Sequence, residues 1–311
     1  MASLRAKLGV KVVRKFFNMN PDCGKSFAEV TEMVSNYGTK VRKGFMRTVE
    51  RTPDGVVFER YVPLKGDNGK LVLYLHGGGY SAGLSQAYRT QACDMSKAAG
   101  GAQCILIDYD LAPEHVWPTQ HEQAYALWTD IVCNQGFAPK DIIVGGDSAG
   151  GNLTLSLMLR LRDEGKELPC ALFLISPWTD MLASGKSYQA NYGVDPMFGQ
   201  KGVTLDESSR ERLLASDMYL WCREADRKDP YVSPVYGDYH GFPPTLMTVG
   251  GDEILLDDTL TIADKLRKEG IEVEVISHEK MFHIYPLYYT LFPESKKAYK
   301  QILNYIKAKL N

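Results

Sequence analysis

The chain has 311 residues, of which 44% are hydrophobic and 24% charged, with a formal net charge of −2. Those values describe a globular protein long enough for one large domain, or a domain carrying an insertion, with no need of disulfides to hold its core. The near-neutral balance gives no reason to expect nucleic acid as a partner, and no apolar run is long enough for stable membrane insertion. The six cysteines (Cys23, Cys93, Cys104, Cys133, Cys170, Cys222) form no CxxC pair and no metal-ligand spacing, which fits a cytoplasmic, reducing environment. Cys104 and Cys170 flank apolar runs and read as buried thiols.

From Met1 to Asn20 bases alternate with apolar groups: Leu4, Leu8, Val12 and Phe16 recur every fourth residue among Arg5, Lys7, Lys11, Arg14 and Lys15. That is an amphipathic helix. It either lies on a membrane surface or covers a pocket of its own protein, and the second use is preferred. Lys7 and Lys11 break the uninterrupted apolar centre that a secretory leader needs. A second helix is expected over Ser26–Tyr37. Phe45–Thr52 and Val56–Val62, joined by Pro53-Asp54-Gly55, predict a hairpin. Leu71–Leu75 is continuously apolar, as a central strand is, and runs into His76-Gly77-Gly78-Gly79-Tyr80.

Next come a helix over Tyr88–Ala99, a strand over Cys104–Asp108 and a helix over Gln120–Asn134. Ile142-Ile143-Val144 then leads into Gly146-Asp147-Ser148-Ala149-Gly150-Gly151 and a helix ending near Gly165. Strand Ala171–Ser176 follows. From Asp180 to about Lys228 there is no strand signal, only glycines, Pro196 and a helical stretch over Glu207–Arg223; such an insertion is a lid candidate. The alternation then resumes with strand Thr245–Val249, helix Asp257–Glu269, strand Glu272–Ser277 and a closing helix from Pro286 onward. The pattern predicts an α/β fold with a mostly parallel sheet of eight strands covered by helices on both faces. The domain reading is N-terminal helices over 1–43, core over 44–179 and 229–311, and a helical cap over 180–228. Strand Glu272–Ser277 reads as a sheet edge able to pair across a homodimer.

The strand, Gly-x-Ser-x-Gly turn and helix around Ser148 have the form of a nucleophile elbow, in which glycines lacking Cβ atoms let the serine hydroxyl project above the sheet. An α/β-hydrolase orders its remaining groups as acid, then histidine, on loops after later strands. His76, His115 and His121 precede Ser148, and His240 precedes the next strand, which leaves His278 and His283. His283 lies further out on the loop and is the expected base. Asp252, the first carboxylate after its strand, is the expected acid, with Glu253, Asp257 and Asp258 as alternatives; the last two suit the start of the next helix. Backbone N–H groups of Gly78, Gly79 and Ala149 are the expected oxyanion donors, and His76 reads as a structural residue holding that loop. Tyr80, Asp147, Tyr192, Phe198 and Ile284 are candidates for the substrate pocket. Phe17, Met197 and Trp221 suit either the pocket wall or the cap interior.

These motifs resemble the hormone-sensitive-lipase-like family of α/β-hydrolases. The resemblance spans about residues 46–290 and rests on His76–Tyr80, Tyr109–Glu114, Gly146–Gly151, Ser176–Asp180, Gly251-Asp252-Glu253 and His283. It implies a serine carboxylesterase acting on short- to medium-chain acyl esters, without metal or cofactor, under a helical cap made from the N-terminus and an insertion. An amidase, a deacetylase, a lactonase or a non-catalytic receptor shares the same scaffold. Three positions depart from the family. Asp110 stands where Arg is usual, Ile284 stands where Gly follows the histidine, and Glu253-Ile254 follow Asp252 where the family acid is often followed by Pro-Leu.

Overall fold

The computed structural model describes residues 3–26, 29, 30, 33 and 38–310. Helix α1 (Leu4–Phe17) opens the chain, and most of the second expected helix lies outside the described residues. The hairpin forms as strands β1 (Phe45–Arg51) and β2 (Val57–Pro63), closed by a bond from Gly55 N–H to Thr52 O of 2.9 Å. Strand β3 (Leu71–Leu75), helix α2 (Gln86–Ala98), β4 (Gln103–Asp108) and α3 (Thr119–Thr129) follow, with α3 passing into a single wide turn over Asp130–Asn134. Then come β5 (Ile142–Asp147), α4 (Ala149–Asp163) and β6 (Ala171–Ile175).

Residues 180–228 contain no strand. They carry the short helices α5 (Lys186–Ala190) and α6 (Glu207–Ala215) and a 3-10 segment over Asp217–Cys222. The helix expected to continue to Arg223 breaks at Ser216, whose backbone is extended (ψ 168) and whose hydroxyl bonds back to Leu213 O. The chain ends with β7 (Thr245–Gly250), α7 (Leu256–Lys268), β8 (Val273–His278) and α8 (Pro293–Leu310). A 3-10 turn over Tyr285–Tyr288 replaces the first part of the expected closing helix.

One sheet holds all eight strands in the order β1-β2-β4-β3-β5-β6-β7-β8. The first two ladders are antiparallel and the other five parallel. β3 and β5 are wholly buried and sit in the middle, as the unbroken apolar run of β3 requires. From β3 the chain steps to β4 on one side, and β5 returns on the other. In such a sheet the crevice where ligands bind opens at the carboxyl ends of the two strands flanking that reversal. Here those ends are His76–Tyr80 and Asp147-Ser148. β8 is an edge strand, bonded among the described residues only to β7.

Helix α1 does not use its fourfold apolar stripe to attach. Leu8, Val12 and Phe16 are exposed, whereas Val13 is buried and Gly9 lies against the Phe292 ring. The neighbouring face of the helix makes the contact, because Gly9 there permits close approach. Cys104 is buried as expected, while Cys170 is only partly so. No helix among the described residues is long and apolar enough to cross a membrane.

The centre of the sheet depends on one large-to-small match. Gly145 in β5 has no side chain because the Phe173 ring of β6 occupies that space, and the same ring stacks on Tyr74 of β3 at 5.8 Å. Phe173→Ala leaves a void beneath three adjacent strands. It should destabilise the protein by about 3–5 kcal/mol in urea unfolding. A loss below about 1 kcal/mol would mean that the sheet closes over the gap without cost.

Candidate active site

Ser148 occupies the turn between β5 and α4 with φ 53 and ψ −120, a strained conformation for a residue with a side chain. The turn is possible because glycines surround it: a Cβ on Gly146 would strike the Gly150 carbonyl, and one on Gly150 would strike the Leu75 carbonyl. Ser148 N–H donates to Ile175 O at 2.9 Å, and its own carbonyl accepts from Trp178 N–H at 3.0 Å. The hydroxyl is thereby presented at the carboxyl edge of the sheet, next to the N-terminus of α4.

The Ser148 hydroxyl lies 2.9 Å from His283 Nε2. On its other side the imidazole donates from Nδ1 to Glu253 Oε2, also at 2.9 Å. Both partners of that ion pair are buried. The second oxygen of Glu253 accepts from Ser176 Oγ at 2.7 Å and from Gly250 N–H at 2.5 Å. With both oxygens engaged the carboxylate cannot swing away from the ring. Phe198 meets the ring of His283 edge-on, with centroids 5.0 Å apart. Such a chain can accept the serine proton on Nε2 while the carboxylate balances the imidazolium that results.

The carboxylate in contact with the imidazole is therefore that of Glu253, in place of the expected Asp252. The chain turns sharply after β7, since Gly250 N–H bonds the Glu253 side chain and Asp252 N–H bonds Met281 O. The turn points residue 253 inward and residue 252 outward. Asp252 sits beside Lys280; burial pushes its carboxyl up, against the attraction of Lys280. A signal for this was present in the residues. Glu253 is followed by Ile254-Leu255, which keeps the leucine of the family's Pro-Leu, whereas Asp252 is followed by Glu253-Ile254. The other two carboxylates brace the surroundings: Asp257 accepts from Ser187 N–H at 2.9 Å, and Asp258 from Thr179 N–H at 2.6 Å.

Gly78 (φ 104), Gly79 (φ 58) and Tyr80 (φ 59) form a left-handed stretch that curls the β3 loop beside Ser148. Among the described residues, the N–H groups of Gly78, Gly79 and Ala149 bond to no protein acceptor. Ala149 is the first residue of α4, where N–H groups have no partner within the helix. The loop is fixed from beneath. Asp147 accepts from Gly77 N–H and Tyr74 Oη at 2.9 and 2.8 Å, and from Tyr88 Oη at 2.9 Å. His76 is buried and stacks on Tyr109 at 4.1 Å. Burial pulls its pKa down to about 4, so the ring is neutral at physiological pH and acts as a packing group.

A cavity of about 310 Å³ opens over Ser148 and is lined almost entirely by apolar groups. Of the expected pocket residues, Phe198 and Ile284 line it, together with Phe17 and Met197. Three do not. Tyr80 is in the core, with its hydroxyl donating to Asn152 and its ring 4.2 Å from Trp221. Asp147 is the buried brace just described. Tyr192 is buried with its hydroxyl on Asn20, away from the cavity. Trp221 likewise belongs to the packed interior. Met19, Met218, Leu255 and Leu287 were not foreseen as wall residues. They come from four separate parts of the chain, and no local pattern marks them.

Two of the departures have local explanations. Ile284 adopts the left-handed conformation (φ 49, ψ 30) that glycine takes easily, and its N–H donates to Ser176 Oγ at 3.1 Å. Asp110 lies at the surface, where its carboxylate accepts from Gln123 Nε2 at 2.7 Å and stands 4.0 Å from His115 Nδ1.

A family model described as the alpha/beta hydrolase fold matches residues 72–287. An esterase of Acinetobacter venetianus is 32% identical over 236 residues, 76% of this chain and 74% of that protein. An acetyl-hydrolase of Streptomyces hygroscopicus is 33% identical over 231 residues, 74% of this chain and 73% of that one. Among solved structures, EstE5 superposes with a TM-score of 0.85 at 28% identity, covering 99% of both chains. An esterase from the bacterial hormone-sensitive lipase family gives 0.82 at 26%, covering the whole of both. The chain belongs to the hormone-sensitive-lipase-like family of the α/β-hydrolase fold, and it is a carboxylic ester hydrolase.

A buried carboxylate ties the insertion to the site. Asp195 accepts at Oδ1 from Met197 and Phe198 N–H (2.7 and 3.0 Å) and at Oδ2 from Ile254 N–H (2.8 Å). Burial pushes its pKa up to about 6, against the backbone bonds that favour the charged form. A carboxyl that holds its proton more tightly folded than unfolded loses stability as pH rises, here between about 4 and 6, with no further change above. Asp195→Asn removes that dependence. The stability of the native protein relative to this variant should therefore be greater at about pH 4 than at about pH 7 in paired urea titrations. An equal or reversed difference would mean that Asp195 stays ionised across the range.

Proposed function

We propose that this enzyme hydrolyses short- to medium-chain acyl esters in two acyl-transfer steps through Ser148, His283 and Glu253. The observation that carries the reading is the hydrogen-bonded chain from the Ser148 hydroxyl through His283 to Glu253, with both links at 2.9 Å. Ser148 Oγ attacks the ester carbonyl carbon as His283 Nε2 takes its proton. The carbonyl oxygen becomes an oxyanion held by the N–H groups of Gly78, Gly79 and Ala149. The imidazolium returns the proton to the departing alcohol as the carbon–oxygen bond breaks, leaving Ser148 acylated. Water then attacks the acyl group, its proton passing to His283, and the acid leaves as the proton returns to Ser148. The Glu253 carboxylate orients the ring and balances its charge.

We divide the chain into a core over 44–179 and 229–311 and a cap made of 1–43 and 180–228. Support comes from the bonds between the two cap segments. Met19 N–H donates to Met197 O, Asn18 Nδ2 to Pro196 O at 3.0 Å, and Asn20 Nδ2 to Phe198 O at 2.9 Å. Phe17 and Met19 from one segment and Met197 and Phe198 from the other face the same cavity. The limited volume and apolar walls favour chains shorter than about ten carbons. The acetyl-hydrolase activity named for the Streptomyces relative points the same way. A ladder of p-nitrophenyl esters from acetate to palmitate should peak below about ten carbons. A maximum at palmitate would reject the chain-length reading.

A fluorophosphonate should label Ser148 covalently, and Ser148→Ala should abolish both label and turnover. The acid is tested by contrast. Glu253→Gln should lower kcat by about 10⁴-fold, as loss of the orienting carboxylate does in other serine hydrolases. Asp252→Asn should leave kcat near the native value. The opposite ranking would restore Asp252 as the acid.

A further inference from the structure

The pocket over Ser148 contains a polar side chain that the reaction above does not use. Gln91, on α2, lines the cavity and is only 3% exposed. Among the described residues nothing hydrogen-bonds its amide, which brings two N–H donors and a carbonyl acceptor to a mostly apolar wall. The adjacent Tyr88 is not equivalent, because its hydroxyl is committed to Asp147 at 2.9 Å. Ser85 lies at the start of the same helix, near the exposed Ala87 where the cavity meets the surface. Gln91 stands one turn deeper.

Its position is fixed from both sides. Tyr88 anchors α2 to Asp147, and Arg89 anchors it to the buried Glu59 with nitrogen–oxygen distances of 2.7 and 3.0 Å. The helix cannot rotate to bring the Gln91 amide to solvent without breaking both anchors. The amide opens onto the cavity, where the apolar walls leave it few partners, and a ligand oxygen placed against it supplies the hydrogen bond it lacks. No Asp, Glu, Lys or Arg lines the cavity among the described residues, so a charged ligand group would find no counter-ion there.

We propose that Gln91 is a specificity-determining residue that hydrogen-bonds an uncharged oxygen of the substrate several bonds from the scissile ester. The preferred substrates are then esters carrying a neutral ether, hydroxyl or second carbonyl in one arm, over plain alkyl esters of the same length. This rests on the esterase reading of Ser148, and it adds the chemical class of substrate.

Two matched pairs test it, each exchanging one methylene for oxygen. 2-Ethoxyethyl acetate against pentyl acetate probes the alcohol arm, and methyl 4-methoxybutanoate against methyl hexanoate probes the acyl arm. Acid release is titrated and each ratio of kcat/KM is divided by the ratio for hydroxide-catalysed hydrolysis. The native enzyme should favour the oxygen-bearing ester in one pair. Gln91→Met, which keeps the side-chain volume, should reduce that preference about tenfold, slowing the oxygen-bearing ester and speeding the alkyl one. Native ratios near unity in both pairs would overturn the proposal without any variant. Ratios within about twofold of native in a folded, active Gln91→Met or Gln91→Leu protein would overturn it as well. If the native enzyme cleaves none of the four esters, the esterase reading fails first, an outcome distinct from unchanged ratios.

Discussion

The engagement of both Glu253 oxygens is the constraint on which the site depends. One oxygen receives the His283 ring; the other receives Ser176 and Gly250. Those contacts draw together the ends of three parallel strands, β6, β7 and β8, at their carboxyl edge. Ser176 in turn accepts from the backbone of Ile284, so the residue after His283 is held by the same hydroxyl that holds Glu253. A carboxylate with only one bond could rotate, and the imidazole would follow it. With two, the ring has one orientation, and that orientation meets Ser148.

The opposite wall is built on a second buried carboxylate. Asp147 gathers Gly77, Tyr74 and Tyr88, and so joins the end of β5 to the glycine loop after β3 and to helix α2. Burial pushes its carboxyl up, while the three donors favour the charged form. Ser148 and the N–H groups of Gly78, Gly79 and Ala149 thus share a foundation at the residue next to Ser148. Glu59 is a third case: burial would raise its pKa, but Arg47, Arg89 and Tyr61 more than reverse this and hold it at about 2. In each case several donors converge on a buried carboxyl group and satisfy its oxygens.

The cavity is shaped by segments that lie far apart in the chain. Asn18 and Asn20 stitch the N-terminal stretch to Pro196–Gly199, and Asp195 stitches that stretch to Ile254, directly after Glu253. Phe198 is carried by these bonds to the edge of the His283 ring. The walls and the reacting groups are therefore one connected network, and the exposed stripe of α1 takes no part in it.

The sequence by itself determined the α/β alternation, the central place of β3, the turn at Ser148, the glycine loop and the choice of His283 over His278. Each of these is a local matter. Strand runs, glycine spacing and chain order are properties of a few neighbouring residues. Only the tertiary structure decided which of two adjacent carboxylates meets the imidazole, because Asp252 and Glu253 differ by one step around a turn whose direction is set by Gly250 and Met281. It alone showed that Tyr80, Asp147 and Tyr192 are supports and not pocket walls, and that α1 attaches by Gly9 and Val13. The supports and the attachment of α1 depend on what lies across the fold from each residue, and a linear pattern carries no record of that; for the acid the residues offered only the leucine at position 255.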